Sequence, residues 1–174
     1  TYGSNWYYKN HCRLLSAISG SAAWTPEVAD RVYRGFAVPY AMELMKFRGG
    51  IGNMTDITNH NILLLGLVFG DANLVRWALW HDAGLLNRLA DITADGFSSE
   101  GRPVSYHHAA MSEYVPSLAY LARAGLDASL PRERLTEAVL MPFRRASLWG
   151  RIPSTGDCAR GLHARPTPLA DQML

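Results

Sequence analysis

DITNHNILLLGLVF, Asp56 to Phe69, decides how this chain folds. Ile62, Leu63, Leu64, Leu65, Leu67 and Val68 make its second half apolar nearly all round, with no strand-like alternation. That pattern predicts a helix starting at Asp56 or Thr58, ending at Phe69 and buried on most sides. Gly70 stops it, and Asp71 caps a following helix over about 71–81. A short helix near 83–93 comes next.

Upstream, Arg48–Asn53 reads as a loop. Thr25-Pro26-Glu27 is a helix start, with Thr as N-cap, Pro at the first position and Glu in the first turn. Val28, Val32, Tyr33, Phe36 and Tyr40 continue it at three-to-four spacing, and Gly35 and Pro39 are expected to break or kink it. Asn5–Ile18 forms a first helix, stopped at Gly20. Downstream, a polar segment from Asp95 to Ser105 precedes a helix from Tyr106 to Ala124, with Tyr114, Leu118 and Leu121 on one side and Gly125 as C-cap. Pro131 opens a last helix to about Arg145, perturbed at Pro142, and 149–174 is a Gly/Pro-rich irregular tail. The expected class is all-α, a single helical domain of consecutive antiparallel helices.

The chain has 174 residues, 48% hydrophobic and 18% charged, with a net charge of +2. That is enough for one globular core and too little charge to imply nucleic-acid binding. No apolar run reaches the length of a membrane span. The two cysteines, Cys12 and Cys158, form no metal-binding pattern, and a disulfide between them is undecided. The chain opens on Thr1 with no signal peptide, and reads as a segment of a longer protein.

Chemistry concentrates in EGRPVSYHHAAMSEY, Glu100 to Tyr114. His107 and Tyr114 are seven residues apart, which places them on one helix face roughly 10 Å apart along the axis. They could bracket a substrate, one removing a proton and the other supplying it. The ordinary alternative makes Tyr114 a half-buried core residue and His107 a surface one. Asn53, Asn59, His60 and Asn61 form a second cluster, able to hydrogen-bond a carboxylate or simply to cap and turn the chain. Asn5, Trp6 and Tyr7, followed by Tyr8, set aromatic rings beside an amide, which suits sugar faces as well as core packing. Arg160 lies in the tail with His163 and Arg165, where a planar guanidinium fork recognises carboxylate or sulfate, unless the tail is only a solvated surface. P-loop, Rossmann, GxSxG and HExxH patterns are absent from the sequence.

These segments resemble polysaccharide lyases with an (α/α) toroid catalytic domain, above all the hyaluronate/chondroitin/xanthan lyase family and its chondroitin ABC-type members. Asp95-Gly96-Phe97-Ser98-Ser99-Glu100-Gly101 is similar to the family's D-G-aromatic-x-x-D-G, with His107 and Tyr114 in the positions of the catalytic pair. Arg160-Gly161 resembles the later catalytic Arg, Gly52-Asn53 with Asp56 the uronate-binding Gly-x-Asn-x-x-Asp, and Asn5-Trp6 the aromatic substrate-binding helix start. The resemblance spans most of the chain through short motifs. It implies an incomplete toroid of antiparallel helical hairpins, lacking a C-terminal β-rich region, and export to the periplasm or exterior. The heparinase II/III-like lyases offer a second likeness. There Glu100-Gly-Arg-Pro-Val-Ser-Tyr106-His107 is close to a Glu-x-Ser-Pro-x-Tyr-His pattern with one extra residue, Asn59-His60 resembles an Asn-His pair, and the likeness makes Tyr106 the catalytic Tyr.

The implied activity is β-elimination on an anionic, uronic-acid-containing polysaccharide, with no metal or other cofactor and neither nucleic acid nor membrane as partner. Asn53 or Asn59, with Arg160, would neutralise the uronate carboxylate, His107 would take the C5 proton and Tyr114 would protonate the leaving O4. Two other classes stay open at this stage. One is a toroid-type glycoside hydrolase using Asp95 or Glu100. The other is a non-catalytic helical carbohydrate-binding module.

Overall fold

The Asp56–Phe69 stretch does become the helix around which the rest is arranged. The structure, a computed structural model, describes residues 2–46, 52–94, 96–98, 104–126 and 132–146. Its elements are α1 (Tyr2–Ile18), α2 (Pro26–Val32), a π-helical turn (Tyr33–Ala37), α3 (Val38–Lys46), α4 (Asn53–Phe69), α5 (Ala72–Trp80), α6 (Leu85–Ala90), α7 (Val104–Arg123) and α8 (Arg132–Arg145). Among the described residues there is no strand, and the protein is all-α.

Helix α4 begins one turn earlier than its polar residues predict, with Gly52 as N-cap. Every residue from Thr55 to Gly66 is buried. Helices α1, α3, α5, α6 and α7 pack around it. Ile62, Leu63, Leu64 and Leu65 are at most 1% exposed, each burial stabilising the fold by roughly 1.5–3 kcal/mol. Gly70 ends α4 in the left-handed conformation (φ 67°), and Asp71 caps α5 by accepting from the Asn73 and Leu74 amides. The Asp71 carboxylate also accepts from the Tyr33 hydroxyl at 2.6 Å, joining the α4–α5 corner to the π-turn. Gly66 lets α5 approach α4 closely, because a Cβ there would stand 2.8 Å from the Val75 amide nitrogen.

Gly35 and Pro39 do not break the second helical run. Pro39 has no N–H to offer the Gly35 carbonyl. The chain instead shifts to π-type bonding across Tyr33–Ala37, with the Val38 amide reaching the Tyr33 carbonyl, and resumes as α3. Helices α7 and α8 likewise run through Pro116 and Pro142. Burial of Tyr114, Val115 and Leu121 in one, and of Leu135, Ala138 and Met141 in the other, outweighs the missing amide bond. Helix α6 is shorter than the expected 83–93, because a tight turn follows it. Thr93 and Phe97 exchange bonds there: Thr93 N–H to the Phe97 carbonyl at 2.8 Å and Phe97 N–H to Thr93 Oγ1 at 3.0 Å. Gly96 in that turn has φ +84° and lies against the Glu137 carbonyl of α8, where a Cβ would come within 2.7 Å. The expected tail, 149–174, lies outside the described residues.

Candidate functional site

The apolar sheath of α4 encloses a polar first half, and three buried networks radiate from it and from α7. In the first, Asp56 accepts from the Tyr114 hydroxyl at 2.6 Å and from Arg88 through Nε at 2.9 Å and a terminal nitrogen at 3.3 Å. All three side chains are at most 1% exposed. Burial raises the Asp56 carboxyl above its ordinary range, against the lowering effects of Arg88 and Tyr114. Burial, with the Asp56 charge beside it, pushes the Tyr114 phenol well above its usual value. The phenol therefore rests neutral, and the three side chains tie α4, α6 and α7 together.

The second network lies between α1, α4 and α7. Glu113 is paired with Lys9, accepts from Ser112 Oγ at 3.0 Å and has Arg13 at 3.8 Å. Ser117 Oγ donates to the Glu113 carbonyl at 2.7 Å and so accepts from His60 Nδ1 at 2.8 Å. That fixes the proton of neutral His60 on Nδ1 and leaves the Nε2 lone pair 3.9 Å from Glu113 Oε2. Desolvation, then the charges of Arg13 and Lys9, push His60 down to about 3, so the ring is neutral throughout the physiological range.

The third network belongs to His107. Its Nε2–H donates to the Ala138 carbonyl of α8 at 2.7 Å, and its Nδ1 accepts from the Ser98 amide at 3.2 Å. Phe97 meets the ring edge-on. Burial pushes His107 down to about 4. The turn containing Gly96 thus delivers one amide to the imidazole, with α8 behind it.

Two turns of helix do place His107 and Tyr114 on one buried stripe of α7, together with Ala110, Met111 and Leu121. Their partners differ: His107 bonds to α8 and the Phe97 turn, Tyr114 to α4 and α6. Neither is a surface residue. Asn53 is the first residue of α4, half-buried where helical amides point outward. Asn59 is buried and turned toward the α5–α6 corner, donating to the Ala83 carbonyl at 2.7 Å and bonding His81 Nε2 at 2.8 Å. Tyr106 is half-buried in the first turn of α7. Asn5, Trp6 and Tyr7 lie on α1, their side chains outside the described residues, as are Arg160, His163, Arg165, Asp95, Glu100 and Cys158 altogether. Cys12 is buried, which pushes its thiol up to about 12.

Spacing in the sequence passes over Lys9, Arg88, Glu113, Ser117 and His108. An Arg within LLNRLA and a Glu immediately before Tyr114 carry no motif, and only long-range packing discloses their partners. His108 is half-buried, held neutral by desolvation, and has no hydrogen-bond partner among the described residues. Among the described residues, no group of His, Cys, Asp and Glu is arranged to hold a metal ion. Comparison of the chain with protein-family models, curated proteins and solved structures finds no match.

Proposed function

We propose that the chain is part of the (α/α) toroid catalytic domain of a polysaccharide lyase that cleaves a uronic-acid-containing, glycosaminoglycan-like polymer by β-elimination. The observation that carries this reading is the density of buried ionisable side chains: Lys9, Asp56, His60, Arg88, His107, Glu113 and Tyr114. Most of them lie in or beside the segments that resemble the lyases. Burying charge and phenol inside an apolar helical bundle is costly, and such groups concentrate where chemistry needs shifted proton affinities.

In this proposal the uronate carboxylate lies at the N-terminal end of α4, where Asn53 and the helix amides donate to it, joined by Arg160 as the resemblance implies. Neutralising that carboxylate stabilises the carbanion-like state formed when the C5 proton leaves. His107 is neutral, as a base must be, and Nδ1 becomes available once the Ser98 amide is displaced from it. Tyr114 is fully protonated and supplies a proton to O4 as the C4–O4 bond breaks, with Arg88 offsetting the charge left beside Asp56. A second reading gives the base role to His108, favoured by its half-exposed ring without a hydrogen-bond partner among the described residues.

The test is absorbance of the unsaturated uronate product on incubation with chondroitin, hyaluronate, alginate and heparin. The expected result is the chromophore from one polymer class, lost on His107→Ala with helical content retained. New reducing ends without the chromophore indicate a hydrolase, and neither signal indicates a binding module. Either outcome overturns the proposal. Loss on His108→Ala alone moves the base by one residue.

A further inference from the structure

Between α5 and the C-terminal end of α4 lies a groove of about 380 Å³, lined by Gly66, Gly70, Leu79 and Leu126 among others. Trp80 and Arg76 stand on its rim, and both are exposed, Trp80 by 59%. They are four residues apart on one helix and so share a face, about 6 Å apart along the axis. Ala72 continues the same row and adds no bulk. The Arg76 guanidinium has no ion-pair or hydrogen-bond partner among the described residues. The nearby Asp71 carboxylate is committed to the Tyr33 hydroxyl and the first amides of α5.

We infer that this groove is a second saccharide-binding site, taking an anionic sugar unit of the polymer on the Trp80 face with its carboxylate or sulfate on Arg76. A sugar ring is apolar on one face and hydroxylated at its edge, which suits an exposed indole over a shallow apolar floor. A planar guanidinium forks an oxyanion in two parallel hydrogen bonds, and Arg76 has no bond to the described residues to give up. Gly70 adds no side chain over the floor, where a Cβ would meet nothing within 4 Å, and the volume falls within the range of small-molecule sites. The single cation makes the site selective for acidic over neutral chains. The inference rests on the polysaccharide reading proposed above but uses none of its reacting residues.

The experiment titrates the full chain, as His107→Ala so that no substrate is consumed, with hexasaccharides of chondroitin and of alginate, following tryptophan fluorescence and amide chemical shifts. A neutral xylohexaose is the control. Saturable binding of an acidic oligosaccharide is expected, with shifts at Ala72–Trp80, and weakening about ten-fold in Arg76→Gln and at least ten-fold in Trp80→Ala. Equal binding of xylohexaose, or acidic binding indifferent to both substitutions, overturns the inference. So does a concentration-dependent doubling of mass in sedimentation that Trp80→Ala abolishes, since the groove would then receive a second copy of the chain. Product absorbance by the wild-type chain is scored separately. Trp80-dependent binding without any lyase product retains the groove and removes the lyase reading. Lyase product with Trp80-independent binding does the reverse.

Discussion

Arg88→Met tests whether the buried Asp56–Arg88–Tyr114 trio is the electrostatic centre of the fold. The arginine and aspartate side chains are 1% and 0% exposed, and the guanidinium makes two bonds to the carboxylate. Methionine replaces much of the stem but leaves Asp56 with the Tyr114 hydroxyl as its remaining charge-compensating donor among the three. Removing one partner of a buried pair costs about 3–5 kcal/mol. With a urea slope of about 2 kcal/mol per molar, the midpoint falls by about 2 M. The pH dependence is the sharper readout. Burial already raises the folded-state carboxyl, and losing Arg88, which lowers it, raises it further. Protonation then favours the folded variant. Its stability declines by up to about 1.4 kcal/mol per pH unit as pH rises from the ordinary Asp value, about 4, to the folded-state value, and levels above it. The assay is urea unfolding followed by circular dichroism between pH 4 and 8, with Asp56→Asn/Arg88→Met closing a double-mutant cycle. The double variant is expected to recover most of the loss and flatten the pH dependence. A loss below about 1 kcal/mol, equal at every pH, would refute the reasoning, because it would mean that water reaches the carboxylate.

His60 and His107 act in the opposite direction. Both are depressed, to about 3 and about 4, so the stability they contribute is complete above about pH 6.5 and falls as pH drops toward those values. His60→Gln should flatten that acid limb by up to about 1.4 kcal/mol per pH unit, measured by urea midpoints from pH 7 to 4. An unchanged limb would place the ring in water. Gly66→Ala should cost about 1–3 kcal/mol through overpacking against Val75, read as a lower thermal midpoint, whereas an alanine variant of equal stability would show that α5 is not held against α4. If the lyase reading is right, Tyr114→Phe lowers product formation by about 10²–10⁴-fold and Tyr106→Phe does not. The reverse result would exchange their roles.

Local signals made the helices legible. Thr25-Pro26, Gly70-Asp71 and Gly125 mark helix ends because caps and left-handed turns depend on neighbouring residues alone. At Gly35 and Pro39 the same local logic locates the perturbation but not its form: a π-turn absorbs the missing amide, and the chain resumes as α3, which buries Ala41 and Leu44. The site was legible only in part. Spacing put His107 and Tyr114 on one stripe of α7, but it carries no information about the Ser98 amide, the Ala138 carbonyl or Arg88, which arrive from other elements.

By itself, the sequence determined an all-helical class built around Asp56–Phe69, and the gathering of Asn53, Asn59, His60 and Asn61 in one segment and of Tyr106, His107, His108 and Tyr114 in another. Periodicity and capping are written in residues three or four apart, so one strand of text suffices. Tertiary structure alone decided what those polar residues meet: Arg88 on Asp56, Lys9 on Glu113, Ser98 on His107. A buried charge is tolerated only with a partner, and that partner lies wherever packing brings it, 32 residues away for Arg88 and 104 for Lys9.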